Sequence, residues 1–161
     1  MIQLERLWLE RELQQVLIRY AQLCDERDWG LLDQVFSADA SAQYGLRTLP
    51  DPAAILDMLR NHLGGCGPTQ HLLANLVVDV DTPEDDSAEG DALLVSSRTA
   101  VRASHRGAGE KAAQTYECMG YYHDRWTHTP GGWRIAHRKM VVGFEFGSRS
   151  VLAPPTGLAA P

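Results

Sequence analysis

Apolar residues in the first part of the chain recur with a helical period. Leu13, Val16, Leu17, Tyr20 and Cys24 fall at i, i+3, i+4, i+7 and i+11, with Glu10, Glu12, Gln14, Gln15, Arg19 and Gln22 on the remaining surface, which is one buried face of a 3.6-residue repeat. Asp25 ends this stripe near the predicted helix C-terminus, where the macrodipole disfavours a negative charge by roughly 0.3–1 kcal/mol. Asp28-Trp29-Gly30 then interrupts the pattern, with Asp28 placed to cap a short helix reaching about Phe36. Residues 37–41 read as a turn and residues 41–46 as a short strand. Pro50-Asp51-Pro52 opens a further helix to Leu63, with Ile55, Leu56, Met58, Leu59 and Leu63 as its apolar stripe. Gly64-Gly65-Cys66-Gly67-Pro68 stops it.

Beyond that break the pattern turns to strands. Residues 69–80, 92–105, 112–127 and 132–146 are β-like stretches. They are separated by an acidic hairpin loop over 81–90 and by turns at 106–109 and 129–132. Helices first and antiparallel strands afterwards predict an α+β domain over residues 1–147, with about three helices on one face of a curved sheet. Residues 148–161, rich in Ala, Pro and Gly, read as a flexible tail or lid.

Composition narrows the function without naming it. The chain has 161 residues, 44% hydrophobic and 22% charged, which suits one globular domain. A formal net charge of -6 argues against nucleic acid or an anionic membrane as a partner recognised through bulk charge. No apolar run approaches the ~20 residues of a membrane span. The first twelve residues, with Glu5, Arg6, Glu10, Arg11 and Glu12, do not read as a signal peptide. Cys24, Cys66 and Cys118 are widely spaced and odd in number, so they read as free thiols in a reducing cytoplasm. The six histidines are scattered and form no metal-ligand motif.

Two residues stand out as candidate chemistry. Asp25 puts a carboxylate at the end of an apolar helix face, where it is costly unless paired. His71 opens the first long strand, just after the glycine-rich break. A carboxylate that orients an imidazole makes a general base of it. The competing reading has Asp25 capping the next turn and His71 merely starting a strand.

The wider pattern favours the first of these. Tyr20-Ala-Gln-Leu-Cys-Asp25-Glu-Arg-Asp28-Trp29 with Phe36, then Thr69-Gln70-His71-Leu-Leu-Ala-Asn75, Gly120-Tyr-Tyr-His-Asp-Arg-Trp126 and Gly131-Gly-Trp133-Arg-Ile-Ala-His-Arg138 together resemble the SnoaL-like branch of the NTF2-like superfamily over roughly residues 5–145. The resemblance implies a cone-shaped α+β barrel, an antiparallel sheet wrapped around the helices with a pocket at its open end. Within that superfamily scytalone dehydratase, hexachlorocyclohexane dehydrochlorinase and bile-acid 7α-dehydratase share an aspartate–histidine pair, whose positions match Asp25 and His71. Tyr20 matches a tyrosine of the bile-acid enzyme, and Arg138 an arginine in the pocket, with Arg134 as the other candidate. Period-2 counting puts both arginines on one face of the last strand, opposite Trp133, Ile135 and His137. Scytalone dehydratase has a second histidine in its site. His105 is the nearest here, but it lies close to the Arg106-Gly107 turn, which predicts a position outside the pocket.

The resulting expectation is a cofactor-independent dehydratase or lyase for a small hydrophobic ring-containing substrate. His71 is its base and Asp25 orients it. Tyr20, Tyr44, Tyr122, Arg138 and Trp29 contact substrate, and Leu17, Phe36, Ile55, Leu59 and Phe144 are candidate walls. No metal or other cofactor is expected. Two rival readings stand beside it, a ketosteroid-type double-bond isomerase and a non-catalytic small-molecule-binding or assembly module. The resemblance also implies a homodimer or homotrimer.

Overall fold

A computed structural model describes residues 2–81 and 94–152. The acidic hairpin loop and most of the Ala/Pro-rich tail lie outside the described residues.

The first helix, α1, spans Gln3–Glu26. It begins ten residues before the apolar stripe predicts, with the Glu5 carboxylate accepting the backbone N–H of Ile2 at 2.9 Å. Leu9, Leu13, Val16, Leu17, Tyr20, Leu23 and Cys24 form its buried face. Each fully buried aliphatic side chain contributes roughly 1.5–3 kcal/mol of transfer free energy. A 3-10 turn (Trp29–Leu31) and a single-turn helix α2 (Leu32–Val35) follow. Asp28 makes no side-chain cap there. Helix α3, Pro52–Leu63, buries Ile55, Met58, Leu59 and Leu63. Asp51 caps it by accepting from the Ala54 N–H at 2.8 Å, a contact worth about 1 kcal/mol.

Among the described residues six strands form one sheet: β1 (Phe36–Tyr44), β2 (Arg47–Leu49), β3 (Thr69–Asp81), β4 (Leu94–Arg106), β5 (Thr115–Thr129) and β6 (Gly132–Gly147). Their order is β2-β1-β6-β5-β4-β3. One expectation about the sheet is corrected here. The sheet is mixed, since β1 runs parallel to β6. Among the described residues it is also not closed, because β2 and β3 are edges, and the expected cone-shaped α+β fold holds as an open curved sheet. The predicted turn at residues 37–41 belongs to β1. Phe36, Ser37, Ala40 and Ala42 are buried along it, and pairing with β6 overrides the turn propensity of Ser and Asp.

Bulges curve the sheet and reset its faces. Arg125 pairs with His137 but Trp126 with Ile135, which leaves Ala136 as an extra residue. Arg134 and Arg138 therefore lie on opposite faces, and the period-2 expectation for them fails. A second bulge sets Met119 against Phe144 and Gly120 against Val142, with Gly143 as the extra residue. It turns Phe144, 57% exposed, away from the interior it was expected to wall. Gly120 permits the close approach, as a Cβ there would stand 2.1 Å from the Val141 carbonyl oxygen.

Candidate active site

The last turn of α1 and the first residues of β3 meet at the concave face. Arg27, C-cap of α1 in the left-handed conformation (φ 58°), holds them together. Its guanidinium donates to the carbonyl of Cys24, to those of Leu63 at 3.1 Å and Gly67 at 3.2 Å, and to Thr69 Oγ1 at 2.8 Å. A cation is favoured at a helix C-terminus, and here it also fixes the glycine-rich loop that delivers His71.

Asp25 is saturated by what this junction brings to it. Oδ1 accepts from His71 Nδ1 at 2.7 Å and from Thr69 Oγ1 at 3.0 Å, and Oδ2 accepts the His71 backbone N–H at 2.9 Å. Burial pushes the carboxyl pKa up. The hydrogen bonds from His71 side chain and backbone and from Thr69 outweigh it, and the net direction is down from the usual carboxylate range. A carboxylate acceptor at Nδ1 keeps the ring proton there, so the neutral imidazole carries its lone pair on Nε2.

His71 lines a cavity of about 380 Å³. Tyr20, Tyr44, Tyr122, His105, Cys118 and Leu59 share its wall, and Arg47, Glu145 and Arg149 are also among its lining residues. The Tyr20 hydroxyl lies 3.2 Å from that of Tyr44 and 3.4 Å from that of Tyr122. Two contacts consume two of three phenolic protons and leave one O–H for a ligand oxygen. Burial holds the pKa of Tyr20 and Tyr122 well above the ordinary phenol value, so both stay O–H donors at neutral pH.

Arg138 lies behind this wall rather than in it. Its side chain is fully buried. Nε and Nη2 donate to Asp124 Oδ1 and Oδ2 at 2.8 and 2.7 Å. Its guanidinium carbon stands 4.3 Å from the Tyr20 ring centroid and 3.9 Å from that of Tyr122. Nη1 makes no hydrogen bond, and the two π faces supply its compensation. Arg134 is elsewhere, donating to the Asp33 carbonyl at 2.7 Å.

Trp29 is not brought to the cavity. It lines a separate depression with Phe36, Pro52 and Arg134. Of the other expected walls only Leu59 reaches the cavity. Ile55 and Phe36 are core, and Leu17 faces a groove between α1 and β3. Cys24 is fully buried, and burial pushes its thiol pKa up to about 12.

His105 corrects the expectation that it lies outside the pocket. It pairs with Thr69 on β3, and its ring stands 5.6 Å from that of His71, centroid to centroid. Its Nδ1 donates to the Tyr116 carbonyl at 3.2 Å. Burial first, then the neighbouring His71, lowers its pKa to about 4, so it is a neutral acceptor through Nε2. Alternation of Val95, Val101 and Ala103 with Arg98 and Arg102 along β4 was the available signal, because every odd residue from Val95 to His105 is buried. Among the described residues no three His, Cys, Asp or Glu side chains converge as metal ligands, and no helix is long and apolar enough to cross a membrane.

With this geometry in place, residues 5–139 match the SnoaL-like domain family. The chain belongs to the SnoaL-like family, a branch of the NTF2-like superfamily. This SnoaL-like chain is 33% identical over 136 residues to an uncharacterized protein of Mycobacterium tuberculosis, covering 83% of this chain and 85% of that one. It superposes on a Novosphingobium aromaticivorans protein assigned to the scytalone dehydratases with TM-score 0.74, at 20% identity over 96% of this chain and 97% of that one. It superposes on the hexachlorocyclohexane dehydrochlorinase LinA-type3 of Novosphingobium barchaimii with TM-score 0.71, at 16% identity over 99% of both chains. At these identities the two structures carry the SnoaL-like fold and nothing finer.

Proposed function

We propose that the chain is a cofactor-independent dehydratase or related lyase for a small, largely apolar, ring-containing substrate. The observation that carries this reading is the 2.7 Å Asp25–His71 contact at the wall of an apolar cavity. In the proposed step His71 Nε2 takes a proton from carbon next to a carbonyl, and that C–H electron pair becomes the C=C bond. The C–O bond at the β position breaks, and the departing hydroxyl takes the proton from the imidazolium to leave as water. Asp25 holds the tautomer and stabilises the imidazolium. The spare phenolic O–H of the Tyr20–Tyr44–Tyr122 cluster bonds the carbonyl oxygen as charge develops there, a contribution of ~3 kcal/mol for a well-placed donor. The two structural neighbours named above carry the names of elimination enzymes, which is consistent with this class of reaction.

The test is turnover of a panel of cyclic β-hydroxy ketones by the native chain, His71→Ala and Asp25→Asn, followed by product mass. Loss of water by the native chain and its disappearance in His71→Ala is the expected result. Equal turnover in all three proteins refutes the mechanism. A product of unchanged mass assigns an isomerase instead, and tight binding without turnover assigns a carrier.

A further inference from the structure

The convex face of the sheet is divided. Toward one end it is apolar, with Tyr121, Val141, Phe144 and Phe146 exposed. Toward the other it gathers cations. Arg98 on β4, His123 on β5 and Lys139 on β6 are directly opposite one another across three strands. In the next row Arg125 of β5 faces His137 of β6. Strands about 4.8 Å apart and residues i, i+2 about 6.8 Å apart place all five within one small area. These residues line a shallow depression of about 410 Å³.

The cations of this array have no carboxylate partner of their own among the described residues. Among the described residues Arg98, Arg125 and Lys139 make no salt bridge, whereas Arg6, Arg102, Arg138 and Arg149 each have a carboxylate. Asp79 is the carboxylate at its margin. Asp124 lies beneath, but both its oxygens are taken by Arg138 on the concave side. Three permanent cations, Arg98, Arg125 and Lys139, crowd this area and repel one another, and this chain keeps them although its formal net charge is -6. Two members are held in place. The Arg98 guanidinium stacks 4.8 Å from the Tyr121 ring centroid, and His137 Nδ1 is 2.8 Å from Ser41 Oγ. Burial first, then the nearby Arg125, lowers the His137 pKa, with Asp124 opposing.

We infer that Arg98, Arg125, Lys139, His123 and His137 form a binding site for a small, free, multiply charged phosphate compound. The ligand relieves the repulsion among the cations and accepts charge-assisted hydrogen bonds from the two guanidiniums, which suit phosphate oxygens. The site is on the opposite face of the sheet from the Asp25–His71 cavity and is independent of the reaction proposed for it.

Pyrophosphate titrated into the purified chain at constant ionic strength tests this, with sodium chloride as the reference salt. Saturable binding by calorimetry and a raised Tm are expected for the native chain. Arg125→Gln and Lys139→Gln each weaken that binding about tenfold. Without ligand both variants melt no lower than the native chain, because each removes a repelling neighbour. Pyrophosphate acting no differently from chloride overturns the proposal, as does native affinity in both variants. Co-sedimentation with phosphatidylcholine vesicles containing phosphatidylserine, without pyrophosphate binding, assigns the face to a membrane surface and also overturns it.

Discussion

Two ion pairs stand within the same cone and do opposite work. Asp124–Arg138 has both side chains fully buried, its contacts are bidentate, and its cation stays charged throughout the working pH range. Asp25–His71 is partly open, with Asp25 at 22% exposure, and its partner is an imidazole whose second nitrogen can take up a proton and return it. The first pair has no proton to exchange at neutral pH. It ties β5 to β6 and backs the tyrosine wall with a fixed charge. The second leaves one ring nitrogen free at a cavity. Burial and permanence make an ion pair architectural; a titratable member and a free atom make it chemical.

The comparison breaks most clearly through stability. Arg138→Met strands Asp124 in the core and is expected to cost about 3–5 kcal/mol in urea denaturation. Replacing both partners, Arg138→Met with Asp124→Leu, recovers most of that loss, because neither charge then needs compensation. A single variant that unfolds no more easily than the native chain contradicts the architectural role.

His71→Ala is the complementary experiment. Turnover of a competent substrate is expected to fall about 10²- to 10⁴-fold. Asp25 retains Thr69 and the backbone N–H, so the denaturation midpoint moves far less than in Arg138→Met. If the two variants exchanged phenotypes, the assignment of roles to the two pairs would be reversed.

How much of this was legible beforehand follows from the range of each interaction. The helices α1 and α3 and the four long strands announce themselves through local periodicity, as do the ends of α3, where Asp51 and the glycine run act within a turn. Asp25 and His71 could be proposed because their types and places along the chain are unusual for their surroundings. Bulges are set by pairing between distant strands, and nothing in Ala136 or Gly143 alone reports them. One extra residue in β6 was enough to separate Arg134 from Arg138 and to turn Phe144 outward. His105 was misplaced for a related reason. Nearness to a turn in sequence says little about depth in a sheet whose register puts that residue opposite Thr69. The parallel pairing of β1 with β6 is likewise a contact across about a hundred residues, stronger than the turn signal at 37–41.

The surroundings of the second pair predict a pH signature. His105 has a pKa of about 4 when folded against about 6.5 when unfolded. The unfolded chain therefore binds the extra proton, and stability falls as pH drops from about 6.5 to 4. The loss amounts to as much as about 3 kcal/mol. Chemical denaturation at a series of pH values is expected to show this slope in the native chain and a flatter one in His105→Gln. An unchanged slope in the variant places the acid sensitivity elsewhere.

Asp25 acts lower on the same axis and supplies the smallest of these effects. Burial raises its pKa, but the hydrogen bonds from His71 and Thr69 bring the folded value below the ordinary one. A depressed carboxyl pKa stabilises the fold fully above its unfolded value of about 4 and loses that contribution as pH falls through the folded value. The His105 slope should thus be spent by about pH 4, and Asp25 adds a further loss below it, beside the exposed Glu145, whose carboxyl Tyr116 and Arg149 also hold down. In Asp25→Asn that lower limb shrinks while the upper one survives. In His105→Gln the reverse holds. Two separable limbs, one diminished in Asp25→Asn and the other in His105→Gln, locate exchangeable protons around the Asp25–His71 pair by measurement alone.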